Sequence, residues 1–264
     1  MKNRIELLFE RKQERVVNIY FTAGYPHLED TLPLLRIIQE SGIDLAEIGM
    51  PYSDPLADGP VIQQSSMVAI ANGMTIDQLF RQLQPMRNSV AEGGIGSELP
   101  VILMGYLNPV LQYGMERFCA DAAAAGVDGL ILPDLPVAEY QLLYQSCFKK
   151  YGLELIFLVT PETSEERIRL FDQVGGGFLY AVSSSSTTGQ TNGNTIQPGY
   201  LNRLKQMKLR LPVLVGFGIR SREDVTEASR YANGAIIGSA FIRALRQPDA
   251  DALTHAKTFL NELL

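Results

Sequence analysis

Eight short apolar runs, distributed along the whole chain and separated by amphipathic stretches, restrict the fold more than any other feature. They are Val17–Phe21, Leu45–Gly49, Val101–Tyr106, Gly129–Leu132, Leu155–Val159, Phe178–Val182, Val213–Gly216 and Ala235–Gly238. Helical patterns lie between them at Thr31–Glu40, Ile62–Asn72, Met115–Ala125, Glu139–Tyr151, Glu165–Val174 and Asp224–Tyr231. The runs are near-continuous rather than alternating, as strands are when both sheet faces are covered, and strand–helix alternation implies parallel pairing. Eight such units in 264 residues predict an α/β fold, a closed (β/α)₈ TIM barrel, better than an open doubly wound sheet. No linker interrupts the pattern, and the glycine-rich Gly93 to Ser97 reads as a loop before the third strand. Residues 1–264 are therefore read as a single barrel domain. The N-terminal MKNRIELLFERKQ reads as an extra amphipathic helix and not as a signal peptide, and Ala240–Leu245 as a short helix after the eighth strand. Ser164 and Ser221 stand as N-caps before acidic first turns, while Gly42, Gly126 and Gly152 follow helical patterns at C′-like positions.

Composition removes several classes of function. Hydrophobic residues make up 46% and charged residues 20% of the chain, as in a globular protein with a sizeable core. The net charge of −6 leaves no electrostatic footprint for nucleic acid or an anionic membrane, and no apolar run reaches membrane-spanning length. Cys119 and Cys147 fall in predicted helices without metal-type spacing, so reduced structural thiols and a cytoplasmic location are expected. His27 and His255 are too isolated for a metal cluster or a serine-type triad, and no lysine lies near a predicted strand end. Neither a metal nor a cofactor is expected in this chain.

The chemistry concentrates in AEIGMPYSDPLADGP, Ala46 to Pro60. Glu47 ends an apolar strand, where a charge must be paired, hydrogen-bonded or neutralised by a shifted pKa. With Leu45, Glu47 and Gly49 on one strand face, Glu47 points into the barrel mouth. Asp54 and Asp58 follow on a loop stiffened by Pro51, Pro55 and Pro60. Two carboxyl groups in different surroundings suit general acid–base work. Active sites of such barrels form at the C-terminal strand ends. Tyr20, Tyr106, Asp134 and Tyr180 stand there too, and the tyrosines describe an aromatic, partly apolar pocket. Gly216-Phe217-Gly218 after the seventh strand and Gly238-Ser239 after the eighth read as a phosphate cradle of backbone N–H groups. Ser183 to Pro198, the longest polar stretch, follows the sixth strand and reads either as a lid or as an unstructured spacer.

These residues resemble the tryptophan synthase alpha family. PYSDPLADGP after a strand-end Glu, LPDLP at Leu132–Pro136, Thr188-Gly189, GFGI and GSA occur in family order over essentially the whole chain. The resemblance implies a (β/α)₈ lyase that cleaves indole-3-glycerol phosphate to indole and glyceraldehyde 3-phosphate. It implies an α₂β₂ complex whose β subunit, not this chain, holds pyridoxal phosphate. By motif, Glu47 matches the catalytic acid–base, Asp58 the second catalytic carboxylate and Tyr180 the active-site tyrosine. Tyr20, Tyr106 and Thr188 join them as substrate-binding candidates, and Gly189, Gly218, Gly238 and Ser239 match the phosphate site. Asp54 lies in the loop expected to face the β subunit. The sixth-strand loop departs from the family's Ser-Arg-x-Gly-Val-Thr-Gly at Ser184 and Ser186, which bears on lid closure. Other readings stay open: among enzymes, a stand-alone indole-3-glycerol phosphate lyase or another phosphate-binding barrel such as an isomerase, and, from a different class, an inactive barrel kept as an interaction or regulatory subunit.

Overall fold

A single residue, Ile156, is where the sheet closes. The computed structural model describes residues 2–55, 58–96, 98–182, 197–216, 218–246 and 251–264. Among them nine parallel strands form one sheet: β1 (Val16–Thr22), β2 (Leu45–Gly49), β3 (Val101–Met104), β4 (Gly129–Ile131), β5 (Glu154–Leu155), β6 (Phe157–Val159), β7 (Leu179–Val182), β8 (Val213–Gly216) and β9 (Gly234–Ile237). Their order is β5-β4-β3-β2-β1-β9-β8-β7-β6. The two strands at the ends of that order are consecutive in the chain. Ile156 between them still donates to Leu130 O at 2.9 Å. The first half of this segment pairs with β4 and the second with β7, so it acts as one fifth strand that changes partner midway. Among the described residues the result is the eight-unit barrel expected from the alternation, closed through this shared segment.

Alternation along each strand divides the apolar residues into two layers. Leu45, Ile102, Ile131, Leu214 and Ile236 fill the barrel interior, whereas Ala46, Ile48 and Leu103 pack outward beneath the helices. The helix Arg4–Arg11 closes the bottom, burying Ile5 and Leu8 in that interior layer. Asn3 caps this helix in a capping box with Glu6, and its Nδ2 also donates to Asp128 O and Gly152 O. Asp128, only 2% exposed, carries the join. Its carboxylate accepts from Arg4 Nη1 at 2.8 Å, Arg87 Nη2 at 3.0 Å and the Val101 N–H at 2.9 Å. Burial pulls the Arg87 guanidinium down to about 10, against the Asp128 charge that favours its protonation.

Local signals located several elements to the residue. The strands Leu45–Gly49 and Val213–Gly216 and the helices Thr31–Glu40, Met115–Ala125 and Glu165–Val174 agree with the sequence reading. Ser164 and Ser221 cap their helices, and Gly42, Gly126 and Gly152 take positive φ. The helix expected over Glu139–Tyr151 is different: Val137–Glu139, a π-helical turn over Tyr140–Tyr144, then Gln145–Lys150. A π-bulge absorbs one extra residue. Tyr140 and Phe148, eight apart, thereby face the same side, their rings edge-on at 5.3 Å. Leu142 on the outer side is left 82% exposed. The third strand stops at Met104, so Tyr106 is not a strand residue but the N-cap of the helix Leu107–Tyr113. No helix among the described residues is long and apolar enough to cross a membrane.

Asp128→Asn is expected to destabilise the chain by about 3 kcal/mol, because it strips two guanidinium groups of their shared counter-charge and leaves the largely buried Arg87 charge with backbone carbonyl partners alone. Urea denaturation followed by circular dichroism measures this, with an unchanged m-value marking a loss of stability rather than of compactness.

Candidate active site

The site is assembled by parallel register. Tyr20 of β1 stands opposite Glu47 of β2, which stands opposite Ile102 of β3. On the other side β1 meets β9 with Ile19 opposite Ile237, so the next residues, Tyr20 and Gly238, come together. A Cβ on Gly238 would lie 3.4 Å from the Tyr20 ring. β8 and β9 pair Leu214 with Gly234 and Val215 with Ala235. Gly238, Tyr20 and Glu47 thus lie on neighbouring strand ends across the mouth. At ~4.8 Å per strand, Glu47 is roughly 10 Å from Gly238.

Glu47 is wholly buried, on the inward face as its spacing from Leu45 predicts. Oε2 accepts from Asn18 Nδ2 at 2.9 Å, while Oε1 has no hydrogen-bond partner among the described residues. Burial drives its pKa to about 8, the Asn18 bond opposes that rise, and the Asp58 charge adds to it. Asp58 belongs to the loop after β2. It is also raised, to about 6, by burial, with the Tyr106 hydroxyl bond pulling the other way. Tyr52 packs against Tyr106 with ring centroids 5.1 Å apart. Near neutral pH the mouth therefore holds one protonated and one ionised carboxyl group.

The tyrosines sit where glycines make room. A Cβ on Gly49 would lie 2.0 Å from the Tyr20 hydroxyl, and one on Gly216 would lie 2.3 Å from the Tyr180 hydroxyl. Burial pushes both phenols well above their ordinary range, so both keep their protons. Tyr180 is the second residue of β7 and lies deeper than the strand end expected for it. Inward-facing Ile102, Met104, Leu158 and Val182 complete an apolar wall. Gly238 is the N-cap of the helix Ser239–Ala244, which begins one residue earlier than expected, and Gly218 takes a φ of 79°.

Other residues fall elsewhere. Asp134 is a capping residue: both its oxygens accept from the Leu107 N–H, at 2.9 and 3.0 Å. Asp54 is exposed and accepts from Ser53 Oγ at 2.5 Å. Thr188, Gly189, Ser184 and Ser186 lie outside the described residues, as do Leu56 and Ala57 of the proline-rich loop. Cys119 and Cys147 are free thiols on the helices Met115–Ala125 and Gln145–Lys150. His27 pairs with Asp30, and His255 lies on the helix Ala252–Leu263. Among the described residues no group of three or more His, Cys, Asp or Glu is arranged to hold a metal ion. Sequence reasoning missed Asn18, although a lone amide two residues before Tyr20 in an apolar strand faces the same way. It also missed the buried hydroxyl pair Thr22 and Ser65, 2.7 Å apart, which ties the end of β1 to the helix Pro60–Ala71.

The family model described as tryptophan synthase alpha chain matches residues 7–263. The chain belongs to this family. It is 50% identical to the tryptophan synthase alpha chain of Flavobacterium johnsoniae, over 90% of this chain and 91% of that one. It is 45% identical to that of Phocaeicola vulgatus, over 99% of each. Among solved structures, the tryptophan synthase alpha chain of Legionella pneumophila superposes with a TM-score of 0.86 at 32% identity, covering 100% of this chain and 96% of that one. A tryptophan synthase from Mycobacterium tuberculosis gives 0.85 at 32%, covering 100% and 97%.

The raised pKa of Glu47 has a thermodynamic consequence. The folded chain holds this proton more tightly than the unfolded one, so the contribution to stability is complete below the ordinary value of 4.5 and is lost as pH rises to about 8. Glu47→Gln, which carries no ionisable group there, is expected to melt near wild type at acid pH and above it at pH 8. The gap should reach a few kcal/mol, since each pKa unit is about 1.4 kcal/mol. Melting curves across that range measure it.

Proposed function

We propose that this chain cleaves indole-3-glycerol phosphate to indole and glyceraldehyde 3-phosphate with Glu47 as acid–base and Asp58 as electrostatic partner. The observation that carries the assignment is the pair of carboxyl groups raised to about 8 and about 6 at one barrel mouth. Protonated Glu47 delivers its proton to indole C3, and positive charge develops over the ring and its N–H. The Asp58 carboxylate accepts from that N–H and offsets the charge. Glu47, now ionised, takes the proton from the glycerol hydroxyl beside the bond. The C–C bond breaks, its electron pair returns to the ring, an aldehyde forms, and Glu47 recovers its starting state. The apolar wall and Tyr20, Tyr106 and Tyr180 receive the indole. Thr188, from the loop after β7, joins them as a substrate-binding residue, and Gly189, Gly218, Gly238 and Ser239 receive the phosphate end through backbone groups. The strand register supports this reading: Gly238 follows β9 on one side of Tyr20 and Glu47 lies on the other, about the span of a phosphorylated three-carbon chain.

Residues 1–264 act as one barrel domain in the cytoplasm. Indole passes to a β subunit that carries the pyridoxal phosphate, in an α₂β₂ complex, with Asp54 on the loop that meets it.

Turnover should follow a bell-shaped pH profile. Activity falls below about 6 as Asp58 gains a proton and above about 8 as Glu47 loses one. Glu47→Gln should reduce kcat by at least about 10³-fold, and Asp58→Asn should be severely impaired because an amide accepts the N–H but carries no charge. Indole release, measured with and without a β subunit, tests each. A Glu47→Gln enzyme with more than about a tenth of wild-type kcat would overturn the assignment.

A further inference from the structure

We infer that Asn18 is a positioning residue for Glu47, selecting by its amide N–H which carboxyl oxygen carries the proton that reaches the substrate. The inference rests on Glu47 being the acid. Asn18 lies in β1 two residues below Tyr20, and Tyr20 is the register partner of Glu47, so the amide reaches the carboxyl from deeper in the barrel. Both side chains are wholly buried, and their contact is the 2.9 Å bond from Nδ2 to Oε2.

A neutral carboxyl group has one oxygen that accepts and one that carries hydrogen. An N–H donor on Oε2 makes it the accepting oxygen and leaves the proton on Oε1. Oε1 has no hydrogen-bond partner among the described residues, so its proton is held by no competing acceptor. Carbon is a poor hydrogen-bond acceptor, and a proton meant for it is best presented free. Once the proton has gone, the same amide bond stabilises the carboxylate, and Oε1 is again the open position for the hydroxyl proton. Asn18 gains little for itself: its own Oδ1 is buried without a partner among the described residues. A buried amide half satisfied in this way costs stability, which fits a residue held for orientation. The ionisable groups around Glu47 are Asp58 from the loop after β2, Tyr20 from β1 and Tyr180 from β7, with Tyr106 bonded to Asp58. Asp58 raises the Glu47 pKa, as burial does, whereas the Asn18 bond lowers it.

The test is kcat, KM and the full pH profile of Asn18→Val, which removes the donor at similar volume, and of Asn18→Ser, which keeps a small polar group too short to reach. Each should lower kcat about ten- to a hundredfold, the worth of a hydrogen bond to a charged group. KM should change little, and the basic limb should move up by about one pH unit as the carboxylate loses its donor. Wild-type kcat with an unmoved limb would overturn the inference. So would a loss of kcat with the limb unmoved, because that is the pattern of general structural damage. Substantial turnover by Glu47→Gln would instead remove the assignment beneath it, leaving the two failures distinguishable.

Discussion

A carboxyl group with no exposed surface and one hydrogen bond is the constraint on which the site depends. Water would solvate a carboxylate at Glu47 far better than Asn18 does, so the barrel interior holds the group protonated to about pH 8. The remaining fold makes this tolerable. A closed sheet with two continuous apolar layers supplies enough stability to keep one poorly compensated group at its mouth. An open sheet edge or a wet strand end would return Glu47 to its ordinary range and remove the proton it has to deliver.

The second carboxyl differs because its element differs. Glu47 is fixed by strand register, whereas Asp58 rides on a loop between Pro55 and Pro60 and meets the hydroxyl of Tyr106, the N-cap of the helix Leu107–Tyr113 after β3. Partial exposure and a hydroxyl donor hold Asp58 near 6, two units below its neighbour. The interval in which one group is protonated and the other charged thus follows from placing one on a strand and one on a loop.

How much of this was legible in the chain depends on the range of the interaction involved. Strand-length apolar runs, Ser caps and the Leu45–Glu47–Gly49 spacing are local, and they gave the barrel, several element boundaries and the inward aim of Glu47. The partner change at Ile156 and the π-turn at Tyr140 were not legible, because each answers to packing against residues distant in sequence. The partner of Asp134 was hidden for the same reason. Its place after the fourth strand was visible, whereas the Leu107 N–H that bonds both its oxygens lies 27 positions away. Asn18 was within reach, since its parity with Tyr20 was visible. What the sequence could not show is that β1 and β2 are neighbours in the register that joins it to Glu47.

The two buried acids of the barrel mark a division between its ends. Asp128, at the bottom, has two arginines and a backbone N–H, and it ties the N-terminal helix, β3 and the Arg87 segment together. Glu47, at the top, has one amide and an oxygen with no partner among the described residues. Both lie at no more than 2% exposure, so burial alone does not distinguish a structural carboxyl group from a reactive one. Compensation does. Parallel strands send every C-terminus to the same mouth, so the helix plug and the matched charges can fill the other end without competing for space. The uncompensated group is left where a substrate can enter and take its proton.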